Sequence, residues 1–171
     1  VKSVMPGYFW IFPLENGLAN VGVGMVMSDV KKGGVNLQKA MLDAIAFFRA
    51  SFPLSSPSLY YSLKANSVVA IIKSMGRRVD GFSVSSIFEA KLAREIAPGK
   101  PIHYVSPCIR MEEIDELREL CDKICCNSAH QLNLMASANP TPHSLGLRVD
   151  PAISFVDDSR YDPCRAHSKL G

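Results

Sequence analysis

A single lysine closes a short apolar segment, "YYSLKANS" at residues 60–67, that has the composition of a β-strand. The amine of Lys64 can attack an aldehyde once it has lost its proton. Strand ends commonly carry the chemistry of α/β proteins, so Lys64 is a candidate nucleophile. The alternative is a solvated charge whose aliphatic stem lies along apolar surface.

Strand-like and helical patterns alternate regularly around this lysine. Five strand-like segments begin at successive spacings of 21 or 22 residues, near Leu59, Gly81, Ile102, Lys123 and Leu145. Stretches with helical periodicity lie between them, which predicts parallel strands joined by right-handed crossovers. We therefore predict an α/β fold, a partial (β/α) TIM-type barrel of about five strands. An open doubly wound sheet is the alternative, but no Gly-rich phosphate fingerprint follows the first strand.

The helical stretches also predict which residues face the core. One predicted face comprises Val68, Ile71, Ile72 and Met75, and another comprises Phe88, Leu92 and Ile96. Two further predicted faces lie later in the chain, comprising Ile114, Leu117, Leu120 and Cys121, and Leu132, Met135 and Ala136. Ser86 and Glu89 have the spacing of a capping box at the start of a helix.

Small polar and basic residues follow the other predicted strands. They are Ser83, Ser85, Ser86, Ser106, Asn127, Ser128 and Arg148. In a parallel barrel these positions surround the catalytic mouth, where they can bind a phosphorylated cofactor. An ion pair between Arg148 and Asp150 is the alternative role for this arginine.

Residues 1–50 have a different pattern. The segment "YFWIFPLENGLANVGVGM" predicts a β-hairpin with a two-residue turn at Asn16-Gly17. Tyr8, Trp10 and Phe12 alternate onto one face of its first strand. Asn36 is positioned to cap a following helix, whose predicted apolar stripe is Leu37, Ala40, Met41, Ala44 and Ile45.

Composition excludes several classes of protein. The 171 residues are 47% hydrophobic and 20% charged with a net charge of +3, so neither disorder nor nucleic-acid binding is expected. Apolar runs are too short to span a membrane, and no charged leader is evident, which predicts a cytoplasmic protein. The odd number of five cysteines predicts reduced thiols, with Cys121, Cys125 and Cys126 as apolar core residues, and no metal site is expected from their spacing.

Residues 58–171 resemble the pyridoxal-phosphate decarboxylases of the alanine-racemase-like barrel fold. The motifs are "YYSLKANS", "VDGFSVSSIFEAKLARE", "IHYVSPCIRMEEIDEL", "CCNSAHQL", "LGLRVDP" and "YDPCRAHSKLG". Within that family the resemblance is to enzymes that decarboxylate carboxynorspermidine or carboxyspermidine in polyamine biosynthesis. It implies pyridoxal 5'-phosphate as cofactor, a polyamine substrate and a homodimer of the full-length enzyme.

The resemblance also implies roles for individual residues. Lys64 matches the lysine that attaches the cofactor, and we expect burial in an apolar wall to disfavour its charged form. Arg148, Ser83 and Glu89 match positions near the cofactor ring, although ornithine-type relatives carry an aspartate where this chain has Ser83. Later barrel strands, the phosphate loop and the C-terminal β-domain of the family have no counterpart here, so we expect poor catalysis from this chain alone.

The motif "PGYFWIFPLENGLANVGVGM" with "SDVKKGGVNLQKAM" resembles the FAD-dependent geranylgeranyl reductases over residues 3–46. In that family the aromatic strand, here Tyr8, Trp10 and Phe12, lies beside the flavin and the prenyl substrate. We therefore predict three parts: a reductase-like segment 1–50, a linker or seam 51–57, and a decarboxylase barrel segment 58–171. The two pieces are expected to touch sparsely. A pyridoxal-phosphate decarboxylase, a flavin-dependent prenyl reductase and a non-catalytic fused or truncated product are the three functions left open.

Overall fold

The computed structural model describes residues 8–13, 18–24, 34, 36–51, 58–137, 144–154, 162, 164–165 and 168–169. The predicted Asn16-Gly17 turn and most of the predicted seam lie outside these residues. So do the side chains of Tyr8, Trp10 and Phe12, since only the backbone of the first two strands is described. The chain divides into two compact units, Val1–Phe82 and Ser83–Gly171.

The first unit begins with two strands, β1 (Tyr8–Pro13) and β2 (Leu18–Gly24), that pair in antiparallel register. Helix α1 (Leu37–Ala50), strand β3 (Ser58–Ser62) and helix α2 (Val69–Gly76) follow. Strand β2 also pairs with β3 in parallel, with Ala19 opposite Leu59 and Asn20 opposite Tyr60. The expectation that the reductase-like segment touches the barrel segment only sparsely is therefore wrong. Backbone pairing needs no side-chain complementarity, which that expectation had assumed.

Helix α1 begins where the sequence predicts. The side chain of Asn36 accepts a hydrogen bond from the backbone N–H of Lys39 at 2.9 Å, which caps the helix. Ala40, Ala44 and Ile45 are buried as predicted, and Phe48 extends the same stripe one turn further. This apolar stripe fixes which side of α1 faces the core of the first unit.

Strand β4 (Gly81–Val84) contains the boundary between the units. The second unit continues with α3 (Ile87–Ile96), β5 (Ile102–Val105), α4 (Ile114–Leu120), β6 (Lys123–Cys126), α5 (Ala129–Ala136) and β7 (Ser144–Leu147). Strands β5, β6 and β7 pair in parallel, in sequence order. Each observed strand from β3 onward starts within one residue of its predicted position, and the α/β class is confirmed.

The core of the second unit comes from both strands and helices. Its most deeply buried side chains include Ile102, Tyr104, Leu117, Ile124 and Met135. Leu117 and Cys121 confirm the predicted face of α4, and Met135 confirms part of that of α5. None of the helices in the described ranges is long and apolar enough to cross a membrane.

Helix α3 turns a different face inward from the one predicted. Ile87, Ala90 and Ala93 are buried, whereas Phe88 is 72% exposed. The spacing of Phe88, Leu92 and Ile96 predicted that these larger side chains face the core. Instead, the small side chains of Ala90 and Ala93 are buried, so that the helix packs closely through them. The prediction for Phe88 is therefore wrong. On the face predicted for α2, Ile72 and Met75 are buried, but Val68 is 56% exposed, so the prediction for Val68 is also wrong.

Candidate functional site

Lys64 lies in a single 3-10 turn, Leu63–Ala65, that directly follows β3. Two neighbouring residues fix this turn. Leu63 is fully buried, and the Tyr61 hydroxyl donates a hydrogen bond to the Asn66 carbonyl at 2.8 Å. The side chain of Asn66 in turn accepts from the backbone N–H of Val68 at 3.0 Å, ahead of helix α2. The backbone that carries Lys64 is thus held on both sides.

The Lys64 side chain itself is exposed. Burial of its amine in an apolar wall was expected, and this expectation is wrong because Leu63 is the residue of the turn that enters the core, while Lys64 lies on its exposed side. Among the described residues, no carboxylate forms an ion pair with Lys64. The amine of Lys64 is therefore accessible from solvent.

Ser83 is the penultimate residue of β4, and Glu89 lies in the first turn of helix α3, which follows. Ser83 is buried, with 8% of its surface exposed. The Glu89 carboxylate accepts a hydrogen bond from the backbone N–H of Ser85 at 2.7 Å, and the Glu89 N–H donates to the Ser86 hydroxyl at 3.2 Å. The predicted capping box is confirmed, with the carboxylate reaching the residue before the N-cap. The cofactor roles of both residues stay predictions.

The same cap recurs after β6, which the sequence analysis missed. The backbone N–H of Asn127 donates to the Gln131 side-chain oxygen at 2.8 Å, and the Gln131 N–H donates to the Ser128 hydroxyl at 3.2 Å. Ser-x-x-Gln was the available signal, equivalent to Ser-x-x-Glu at the start of α3. Both caps fix the backbone that leaves the carboxyl end of a strand.

Arg148 follows β7 and is held by two hydrogen bonds. Its backbone N–H donates to the Cys126 carbonyl at 2.8 Å, and its guanidinium Nη1 donates to Asn127 Oδ1 at 3.3 Å. The alternative ion pair with Asp150 is absent from the described residues. Asp150 instead accepts from the backbone N–H of Ala152 at 2.8 Å.

Several ionisable groups in the second unit have shifted pKa values. Burial and the nearby Lys123 charge lower the pKa of His103 to about 4. Burial raises the pKa of Cys121 to about 12, and a hydrogen bond with Asp150 raises the pKa of Cys164. No disulfide joins the five described cysteines, and no cluster of three or more metal-ligating side chains occurs within the described part of the chain. Cys121 and Cys126 are buried core residues, as predicted, whereas Cys125 is only partly buried.

Alternating strands and helices, with a lysine after β3 and polar groups after β4, β6 and β7, define an α/β protein of a known class. Residues 39–171 match the family of pyridoxal-dependent decarboxylases, over its pyridoxal-binding domain. The chain belongs to this family.

The particular relatives are enzymes named for carboxylated polyamines. The carboxynorspermidine/carboxyspermidine decarboxylase of Campylobacter jejuni is 32% identical over 117 residues, which are 68% of this chain and 30% of the relative. The carboxyaminopropylagmatine decarboxylase of Synechocystis is 36% identical over 92 residues, 53% of this chain and 24% of that one. The chain thus spans about a third or less of the curated relatives it matches.

A solved structure gives the same result. The carboxynorspermidine decarboxylase of Campylobacter jejuni in complex with norspermidine matches 72% of this chain and 33% of its own, with a TM-score of 0.60 and 27% identity. That enzyme has a TIM-like barrel fold, which agrees with the predicted partial barrel. The resemblance to the decarboxylase family is confirmed.

Residues 2–52 match a second family, the catalytic domain of geranylgeranyl reductases. This range includes all of helix α1. The decarboxylase match begins at residue 39, inside the same helix. The two family matches therefore overlap in helix α1.

Proposed function

We propose that this chain is part of a pyridoxal-phosphate-dependent decarboxylase that acts on a carboxylated polyamine, carboxynorspermidine or carboxyspermidine. The observation that carries the proposal is the exposed Lys64 amine, on a fixed turn after β3, in a chain of the pyridoxal-dependent decarboxylase family. The names of the relatives support the polyamine substrate. A homodimer and a cytoplasmic location are expected for the full-length enzyme.

The described residues fit the cofactor chemically. Lys64 supplies an amine for the aldehyde carbon, and Arg148 supplies a cation for an anionic group. Bound pyridoxal phosphate supplies an electron sink for the pair left behind when carbon dioxide departs. Lys64 attaches the cofactor, while Ser83, Glu89 and Arg148 are proposed to contact it. Glu89 can do so only while its carboxylate also accepts from the Ser85 N–H.

A flavin-dependent reductase is the second candidate, favoured by the match over residues 2–52. Its FAD would be expected to lie beside Tyr8, Trp10 and Phe12. We favour the decarboxylase because its family matches residues 39–171, and because the reductase-like strand β2 is engaged in backbone pairing with β3.

Absorbance distinguishes the candidates. The full chain is titrated separately with pyridoxal phosphate and with FAD, and Lys64→Arg is the matched control because it keeps the charge. We expect pyridoxal phosphate to give a saturable band in the violet that Lys64→Arg lacks, and FAD to give no bound spectrum. Saturable FAD binding favours the reductase. Binding of neither cofactor favours a non-catalytic product and contradicts the proposal.

A further inference from the structure

One short side chain, that of Asn127, joins two distant segments of the second unit. Its Oδ1 accepts a hydrogen bond from Arg148 Nη1 at 3.3 Å, and its Nδ2 donates to the Lys169 carbonyl at 2.9 Å. These partners lie 21 and 42 residues away along the chain. Asn127 therefore links the arginine after β7 to the segment that contains Lys169.

The chemistry of the two partners fixes the orientation of this amide. A guanidinium offers only donors and a carbonyl offers only an acceptor, so an amide turned the other way leaves both unsatisfied. The backbone is held as well, because the N–H of Asn127 donates to Gln131 Oε1 and the N–H of Arg148 donates to the Cys126 carbonyl. Arg148 is thus oriented from both its main chain and its side chain.

The charge of the side chain that accepts from Arg148 also determines how Arg148 can act. A carboxylate at this position neutralises the guanidinium, whereas a neutral amide directs it and leaves its positive charge intact. Among the described residues, the Arg148 guanidinium makes no hydrogen bond other than the one to Asn127. Within the described part of the chain, four of its five N–H donors therefore have no acceptor and can bind an anionic ligand.

We propose that Asn127 is a positioning residue, which orients the Arg148 guanidinium toward an anionic group of the cofactor and ties it to the Lys169 segment. The inference rests on the proposed function only in assigning Arg148 to the cofactor. It predicts that the two described side-chain hydrogen bonds of Asn127 can be separated by substitution, since Ala removes both and Asp keeps only the acceptor.

The test measures modification of Arg148 by phenylglyoxal in the full chain, with peptide mass mapping. Asn127→Ala is expected to raise the rate at Arg148 about three- to tenfold, since one hydrogen bond is lost. Asn127→Asp is expected to leave this rate at or below that of the original chain. Because its oxygen then faces the Lys169 carbonyl, it should also speed amide hydrogen exchange in the peptide containing Ser168 and Lys169. Asn133→Ala, the same change at an exposed position of α5, is the control and should alter neither readout.

A cofactor titration adds a second readout. Asn127→Ala and Asn127→Asp should each weaken pyridoxal phosphate binding about tenfold, the first by releasing Arg148 and the second by neutralising it. An unchanged Arg148 modification rate in a folded Asn127→Ala variant overturns the inference, as does an equal increase in both variants. If Asn127→Ala does not fold, the Arg148 modification rate in Asn127→Asp decides. A rate at or below that of the original chain supports the inference, and a faster rate overturns it. If the original chain binds no pyridoxal phosphate, the proposed function fails, while the modification rates still decide the role of Asn127.

Discussion

Arg49 Nη2 lies 3.0 Å from Asp80 Oδ2, an ion pair that joins the last turn of α1 to the residue before β4. The same carboxylate oxygen accepts the backbone N–H of Leu59, at the start of β3, at 2.7 Å. The second unit repeats this arrangement with Arg94, Asp122 and the N–H of Ile102, at 3.0 and 2.8 Å. Asp80 therefore links α1 to β3 as Asp122 links α3 to β5, and we propose on this basis that α1 belongs with the barrel segment and not with the reductase-like segment.

Removal of the Asp80 carboxylate tests its link between Arg49 of α1 and the Leu59 N–H of β3, which we call the Asp80 clamp. Asp80→Ala should lower the free energy of unfolding by about 1–2 kcal/mol, because the Leu59 N–H and the Arg49 guanidinium both lose their acceptor. The control is Asp43→Ala, which breaks the exposed pair of Lys39 and Asp43 on the same helix and should cost less than about 0.5 kcal/mol. Urea unfolding measures the free energy of unfolding of both variants. An equal loss in the two variants would contradict the Asp80 clamp.

Strand β2 covers an edge of β3, so removal of β2 should lower stability and expose that edge. Deletion of residues 1–33 is expected to cost about 2 kcal/mol from lost backbone pairing and to promote self-association through the uncovered edge. Deletion of residues 1–50 should cost more than about 3 kcal/mol, because it also removes the buried Ala44 and Phe48 and the Arg49 ion pair.

Urea unfolding and sedimentation velocity measure these two effects. A shortened chain that stays monomeric with unchanged stability contradicts the pairing of β2 with β3. It also restores the interpretation of residues 1–50 as a separate piece.

The strands were predictable because their signals are local. Turn residues and short apolar runs recur every 21 or 22 residues, and Ser86 with Glu89 marks the start of α3 in four residues of sequence. The pairing of β2 with β3 was not predictable in this way. It joins segments from two families through backbone groups that every residue carries, so no side-chain pattern marks it.

His103 makes stability depend on pH in the acid range. Its pKa falls from 6.5 to about 4 on folding, chiefly through burial. Between these values the unfolded chain binds the proton and the folded chain does not, so stability is lost as the pH falls from 6.5 toward 4. His103→Asn should flatten this loss by about 1–2 kcal/mol between pH 7 and pH 5. Urea unfolding at both pH values checks it, and an unchanged slope contradicts the assignment.

The thiols should differ sharply in reactivity. Burial raises the pKa of Cys121 to about 12, whereas Cys108 is exposed. Because the thiolate is the reactive form, iodoacetamide at pH 8 should modify Cys108 within minutes and Cys121 only after unfolding. Peptide mapping with and without urea measures both sites. Early modification of Cys121 in the folded chain contradicts its burial.

The site was predictable in its residues more than in its environment. The position of Lys64 after a strand follows from "YYSLKANS", but its exposure depends on the 3-10 turn, a departure from the strand that apolar periodicity does not mark. Likewise the network of Asn127, Arg148 and Lys169 depends on contacts across 42 residues, which spacing along the chain does not encode.

Covalent attachment of pyridoxal phosphate at Lys64 would be the strongest support for the proposed decarboxylase function. The full chain is incubated with pyridoxal phosphate, reduced with borohydride, digested and mapped by mass spectrometry, with Lys73 in the neighbouring helix α2 as an internal reference. We expect the pyridoxyl label to be concentrated on Lys64 and to be lost in Lys64→Arg. Label spread evenly over Lys64, Lys73 and the other lysines would contradict it.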